Sequence, residues 1–345
     1  MSASLPPTMS LATGVGALPH TDPVKACDDV LAVYPKVPYI PTLPARGLLE
    51  SIVFSDSSRL PGGIVKEERL LVDRSRDLSS EMEQVYMDFM EQRTGPYALT
   101  GEYASGFLEM MQRDVSGSIL LKCQVTGPVT FGMQVVDKEK RPIYYDEQFA
   151  DLLPKMLALR ARWCEQAMRS IRGAASTLVV MNEPYLAALG SSVIPISRDS
   201  VVAGWNDLSS LVEGGLGIHC CSNTDWEFVV SLNPSVLSFD AYTGAREFLL
   251  YMDALSGYLE KGGIVAWGIV PADHRIFSGV TKEELLARYL EIRRRVSDFV
   301  DEQVFDSHSL VTPTCGIRFA DEAGAREIMT ASAWISGRVR EEFPL

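Results

Sequence analysis

The segment Gly215-Leu216-Gly217-Ile218-His219-Cys220-Cys221-Ser222-Asn223 is a short apolar run that ends in residues with metal-binding side chains. The apolar part predicts a buried strand. In an extended strand, residues two apart point the same way, so His219 and Cys221 face one side and Cys220 faces the other. An imidazole beside a thiolate is a frequent zinc pairing. Two ligands do not make a site, and the same residues also fit an interior histidine and two small buried thiols.

Similar short apolar runs recur along the chain and alternate with stretches of helical character. Eight strands alternating with helices are typical of an α/β (β/α)8 (TIM) barrel, and runs that are apolar throughout fit parallel strands buried on both faces. A doubly wound open sheet would give a similar pattern, so the barrel is inferred from strand number. The other predicted strands are 12–18, 96–100, 118–125, 178–181, 236–239, 263–267 and 310–312.

The chain of 345 residues is predicted to form a single domain, 1–345, with one insertion. Residues 34–78 are rich in proline and contain a hairpin-like stretch at 62–72, which places the insertion after the first strand. Asp22 or Thr21 can cap a helix with Pro23 at its first position. A capping box at 281–284 opens a late helix.

Composition excludes several classes of partner. A net charge of −13 argues against nucleic acid and against an anionic membrane surface. The first residues lack a basic region followed by an apolar core, and no stretch approaches the ~20 apolar residues of a membrane span. We therefore predict a cytoplasmic protein whose six cysteines stay reduced.

Polar residues of interest follow the predicted strands directly. The carboxyl ends of the strands of a (β/α)8 barrel meet on one face, where active sites lie. Cys315 would then supply a third soft ligand beside His219 and Cys221, and Asp240 would supply a fourth oxygen ligand or a hydrogen-bond partner for His219. Packing for Cys315 and helix capping for Asp240 are the alternatives. The residues at strand ends are Glu102, Asn182, Glu183, His219, Cys221, Asp240 and Cys315.

The order of these motifs resembles the catalytic half of cobalamin-independent methionine synthase. That family shares a superfamily with uroporphyrinogen decarboxylase and corrinoid-linked thiol methyltransferases, and the resemblance spans about 12–320. His219-x-Cys221 with the distal cysteine is its most specific part. The matching motifs are Thr13-Gly14-Val15-Gly16-Ala17-Leu18-Pro19, Gly101-Glu102, Thr126-Gly127-Pro128-Val129-Thr130, Asn182-Glu183-Pro184, His219-x-Cys221 and Pro313-Thr314-Cys315-Gly316.

The resemblance implies a Zn²⁺ cofactor. The family's zinc ligands fall on His219, Cys221 and Cys315, and its carboxylate ligand falls on Asp240, where the family has the longer glutamate. The turn that holds the homocysteine carboxylate through backbone amides falls on Val15-Gly16-Ala17.

Other family positions imply how the substrate is held. The acid near the substrate amine falls on Glu102, but its aspartate partner is replaced here by Asn182, which would weaken ammonium binding. The proton-donating histidine falls on His274, seven residues before Thr281; a surface-loop histidine is the alternative.

The resemblance is weaker around the methyl donor. The family's folate platform has a tryptophan after Gly-Pro-Val-Thr and an acid beyond the Glu-Pro motif, where this chain has Phe131-Gly132-Met133-Gln134 and Ala187-Ala188. The prediction is therefore a zinc-dependent S-methyltransferase acting on homocysteine or a related small-molecule thiol, with a methyl-corrinoid protein as donor. The alternatives are a uroporphyrinogen decarboxylase-like lyase and a non-catalytic module that binds a thiol or a corrinoid protein.

Overall fold

The structure, a computed structural model, describes residues 5–191 and 194–344. The strands are β1 Leu11–Ala12, β2 Gly63–Lys66, β3 Arg69–Val72, β4 Leu121–Thr126, β5 Thr177–Asn182, β6 Gly215–Cys220, β7 Val236–Asp240, β8 Ile264–Val270 and β9 Ser309–Pro313. The helices are α1 Pro23–Val33, α2 Ser79–Met90, α3 Ser105–Met110, α4 Pro128–Gln134, α5 Glu147–Arg169, α6 Arg198–Leu211, α7 Trp226–Ser231, α8 Ala241–Phe248, α9 Met252–Glu260, α10 His274–Phe277, α11 Lys282–Val296, α12 Glu302–Ser307 and α13 Glu322–Glu342.

A curled parallel sheet of seven strands organises the fold. Its order is β1-β9-β8-β7-β6-β5-β4, and each neighbouring pair is parallel. Helices connect most successive strands, as parallel pairing requires. The predicted α/β class with a parallel sheet is confirmed, whereas within residues 5–191 and 194–344 the sheet has seven strands instead of the predicted eight.

The predicted strand at 96–100 is wrong. Gly95–Tyr97 forms a 3₁₀ turn, with the Tyr97 N–H donating to Thr94 O at 2.9 Å. Pro96 fixes its own φ and lacks an N–H, which favours a turn over a central strand. The carbonyl of Tyr97 accepts a bond of 2.6 Å from the buried Arg160, so it is not available to a sheet neighbour.

The beginning of the predicted insertion, residues 36–42, hydrogen-bonds to the segments at both edges of the sheet. The prolines at 38 and 41 lack N–H groups and interrupt regular pairing, which hid this role in the sequence. The rest of the insertion carries the predicted hairpin, β2 with β3. The bonds to the β4 side are Ile119 N to Lys36 O, Lys122 N to Pro38 O and Ile40 N to Lys122 O; those to the β1 side are Thr42 N to Gly16 O and Leu18 N to Thr42 O.

The inner face of the curled sheet is apolar at the amino ends of the strands. Side chains alternate along each strand, so residues of the same parity further along face the same interior. Polar groups take over toward the carboxyl ends, where His219 and Thr312 are buried, whereas Lys122 is a buried charge near the amino end of β4. The apolar layer consists of Leu11, Val37, Leu120, Leu178, Val180, Val236, Ile264, Ala266 and Leu310.

Predicted helix starts agree with the structure. Asp22 caps α1 by accepting from Val24 N at 2.9 Å, and Thr281 and Glu284 form a capping box at α11. Among the described residues, no helix is both long and apolar enough to cross a membrane.

Candidate metal centre and substrate site

The structure brings three of the predicted ligands together. His219 lies near the end of β6, Cys221 follows that strand directly, and Cys315 lies two residues beyond β9; one ligand atom from each falls within 4.8 Å of the others. Strands β6 and β9 are three positions apart, which in a flat sheet would separate them by about 14 Å. The curl of the sheet therefore makes this cluster.

His219 is 3% exposed and is oriented by a neighbouring strand. Its Nδ1 lies 2.9 Å from Ser238 Oγ of β7, and its Nε2 is buried with no hydrogen-bond partner among the residues described. The expected partner, Asp240, is not the one used. A buried imidazole nitrogen without a partner is costly, and beside two thiols it matches the donor set of a zinc site.

The two cluster thiols are half-buried, and each changes the pKa of the other. A hydrogen bond from Cys315 and the nearby His219 ring stabilise the thiolate of Cys221 and lower its pKa to about 4, while the adjacent Cys221 sulfur raises the pKa of Cys315. Thiolate is the form that binds metal. Cys220 faces the other way, as predicted, and its burial raises the pKa to about 12.

Asp240 is occupied as a helix cap. Its Oδ1 accepts from Thr243 N at 3.0 Å and its Oδ2 from Thr243 Oγ1 at 2.7 Å, at the start of α8. It is not part of the His-Cys-Cys cluster. The structure thus places Asp240 in the capping role that was the alternative to coordination.

The turn at residues 14–17 has free amide donors. The N–H groups of Gly14, Val15, Gly16 and Ala17 make no hydrogen bond within residues 5–191 and 194–344, whereas the carbonyls of Gly14, Gly16 and Ala17 accept bonds from Lys122, Thr42 N and Ile317 N. Consecutive free N–H groups suit an anion.

The turn also contacts the loop of Cys315. A Cβ on Gly316 would lie 2.8 Å from the Cβ of Ala17, and Ile317 N donates to Ala17 O at 2.8 Å. Gly16 has φ +143, and a Cβ there would lie 2.7 Å from Gln124 Oε1. The candidate anion site and the thiol cluster are therefore neighbours.

Asn182 and Glu183 have different roles. Asn182 pairs in register with His219 and accepts a hydrogen bond from Gln124 Nε2, so it lies beside the cluster. Glu183 is buried and accepts from Val129 N at 3.0 Å, Thr130 N at 2.8 Å and Thr130 Oγ1 at 2.7 Å. Burial raises the pKa of Glu183 to about 7. It anchors α4 against β5.

Glu102 and His274 lie outside the cluster. Glu102 is exposed in a groove of about 600 Å³ that it shares with Arg46, Glu50 and Tyr103. His274 is partly exposed at the start of α10, with Nε2 3.4 Å from Glu327 Oε2 on α13. The position of His274 matches the surface-histidine alternative.

Ser238, Gln124 and Lys122 are site residues that the sequence reasoning missed. Each lies on the inner face of its strand, two positions (Ser238, Gln124) or four positions (Lys122) before a recognised motif residue. Lys122 was the clearest available signal, because it is the only charged residue in the apolar run 118–125. A charged side chain in a buried strand is energetically costly, so its presence there indicates a functional or structural role.

The fold and the cluster together define an α/β protein with a candidate His-Cys-Cys zinc centre at the carboxyl ends of parallel strands. The chain is similar to a B12-independent methionine synthase from Shewanella sp. W3-18-1, solved in complex with selenomethionine, at 14% identity and a TM-score of 0.58, over 99% of this chain and 97% of that one. It is also similar to a putative vitamin-B12 independent methionine synthase from Listeria monocytogenes, at 13% identity and a TM-score of 0.55, over 98% and 99%.

At these identities the likeness establishes the fold alone. No model of a known protein family matches the sequence, and no curated protein matches it significantly.

Proposed function

We propose that this protein is a zinc-dependent S-methyltransferase that activates homocysteine or a related thiol. The observation that carries the proposal is the cluster of His219, Cys221 and Cys315, with the unpartnered buried Nε2 of His219. The solved structures with the same fold are described as methionine synthases, which supports this chemistry. All six cysteines lie within the described residues and are unpaired.

The three residues would hold the zinc, and Ser238 would fix the ring of His219. Zinc, when bound, lowers the pKa of a substrate thiol so that a thiolate is present at neutral pH. The substrate S–H bond loses its proton, an S–CH₃ bond forms, and the bond between the methyl group and its donor breaks.

Residues around the cluster would orient the substrate. The free N–H groups at 14–17 would bind a substrate carboxylate beside Cys315. Asn182, adjacent to His219, offers a neutral amide where a substrate ammonium would prefer a charge. Glu102 and His274 remain candidates for the amine site and for proton donation.

The methyl donor is a separate part of the proposal. The residues at 131–134 and 187–188 led us to predict a methyl-corrinoid protein. That prediction gains no support from the structural neighbours, which are described as B12-independent. Assays with a methyl-corrinoid and with methyltetrahydrofolate, run in parallel, decide between the two donors.

We also infer that residues 36–42 occupy the eighth strand position and close the sheet into a (β/α)8 barrel within one domain, 1–345. Their hydrogen bonds to both edges support this interpretation. Val37 packs in the inner apolar layer, as a barrel strand residue would.

The test is metal content followed by zinc-edge X-ray absorption. We expect about one zinc per chain, and one additional sulfur ligand when homocysteine is added. Cys221→Ser and Cys315→Ser should lose zinc and methyl transfer together, whereas Cys220→Ala, a neighbour that faces away, should keep both. Full activity in either serine variant contradicts the proposal. A metal-free but unoxidised protein would instead favour the lyase or the binding module.

A further inference from the structure

Lys122 is a buried cation inside the sheet. It is the second residue of β4 and is 6% exposed. By strand alternation it shares the inner face with Gln124. Its Nζ donates to the carbonyl of Gly14 and lies 5.6 Å from the centroid of the Tyr39 ring. The side chain thus reaches from β4 to the turn beside Cys315.

No carboxylate pairs with Lys122 among the residues that the structure describes. Two other buried cations do have such partners: Arg160 lies 3.7 Å from Asp56, and Arg293 lies 2.7 Å from Asp306. An unpaired buried ammonium is expensive, and such groups concentrate at functional sites.

The groups that face Lys122 carry no compensating charge. Residues 36–42 present Tyr39, β5 presents Leu178 at the paired position, and the turn presents backbone. Cys123, the next residue of β4, points to the opposite face of the strand. Burial raises the pKa of Tyr39 and of Cys123 well above ordinary values, so both are neutral near pH 7. Burial lowers the pKa of Lys122 to about 7.

The contact with Gly14 controls the direction of the next amide. In a trans peptide the carbonyl and the following N–H point in opposite directions, and no described peptide bond is cis. Holding the Gly14 carbonyl toward Lys122 therefore turns the Val15 N–H away from the Lys122 ammonium and leaves it free to bind an anion. The Tyr39 ring packs directly against Gly14, since a Cβ on Gly14 would lie 2.2 Å from Tyr39 Cε1.

We infer that Lys122 is a positioning and specificity residue for a carboxylate-bearing thiol: it holds the turn at 14–17 with its amides free, and its positive charge favours an anion there. The inference rests on the proposed function. Because Lys122 contacts the turn and not the substrate, its influence is confined to substrates that carry the carboxylate.

The test compares two thiols that differ only in that group. Homocysteine and 3-aminopropane-1-thiol, its analogue without the carboxylate, are titrated by calorimetry into zinc-loaded wild type and Lys122→Met under reducing conditions. We expect the variant to bind homocysteine about ten to a hundredfold more weakly, in line with losing a hydrogen bond to a charged group. Its affinity for 3-aminopropane-1-thiol and its zinc content should not change.

The pH dependence separates a charge from a packing effect. In wild type, the preference for homocysteine over the analogue should fall as pH rises through about 7, where Lys122 loses its proton. In Lys122→Met the preference should be small and independent of pH. Lys122→Arg keeps a cation at every pH tested and should keep the preference.

The outcomes distinguish a failure of the proposed function from a failure of the inference about Lys122. Wild type that binds neither thiol overturns the proposed function and this inference with it. Wild type that binds both thiols, with Lys122→Met weakening them equally or not at all, overturns the inference alone.

Discussion

Lys122→Met should make the protein more stable near neutral pH. The difference between the ordinary lysine pKa of 10.5 and the value of about 7 in the folded chain corresponds to roughly 5 kcal/mol. Methionine removes that cost of burying an ammonium while nearly preserving volume. It also leaves the Gly14 carbonyl without its donor, a loss of about 1–3 kcal/mol. The desolvation effect is larger, so the free energy of unfolding should rise by roughly 2–4 kcal/mol at pH 7.

The gain in stability of Lys122→Met should decrease as the pH rises. The folded pKa of Lys122 lies below the unfolded value, so the unfolded chain binds this proton more tightly, and the contribution of Lys122 to wild-type stability rises with pH between about 7 and 10.5. The advantage of the variant therefore shrinks across this window. Near its upper end the variant should be the less stable protein, because only the lost hydrogen bond remains.

Urea unfolding followed by circular dichroism at several pH values measures this difference. Lys36→Met is the matched control, because Lys36 also donates to a backbone carbonyl, Gly117 O at 3.1 Å, but from an exposed position. That control should change stability by less than about 0.5 kcal/mol at every pH. A variant at position 122 that is less stable than wild type at pH 7, or a difference that does not vary with pH, would refute the reasoning.

Two further predictions concern residues near the cluster. Ser238→Ala removes the bond that orients His219, so zinc affinity should fall about tenfold to a hundredfold, as measured by competition with a chelator; unchanged affinity would show that Ser238 does not orient the ligand. Asp240→Ala should cost about 1 kcal/mol of stability through the lost α8 cap but keep bound zinc; loss of the metal with Asp240→Asn, which retains a capping side chain, would instead show that the carboxylate is a ligand.

The strands that local sequence predicted well are those buried on both faces. The runs around 178–181, 236–239 and 263–267 are apolar throughout, and each became a central strand. The predicted first strand, 12–18, is shorter than expected, because only Leu11–Ala12 pairs with β9. Two other errors involve proline. Pro96 turned an apolar run into a 3₁₀ turn, whereas the prolines in 36–42 hid a segment that pairs with both edges, because a missing N–H breaks the pattern without preventing extended pairing.

Local sequence was enough to place His219 and Cys221 on the same face, because side-chain direction alternates within one strand. It also indicated that Cys315 follows a strand. The convergence of Cys315 with them, three strands away, was decided only by the curl of the sheet. Hydrogen-bond competition likewise decided that Ser238 orients His219 while Asp240 caps α8. Such choices depend on distances between segments far apart in the chain, and local residue patterns carry no information about those distances.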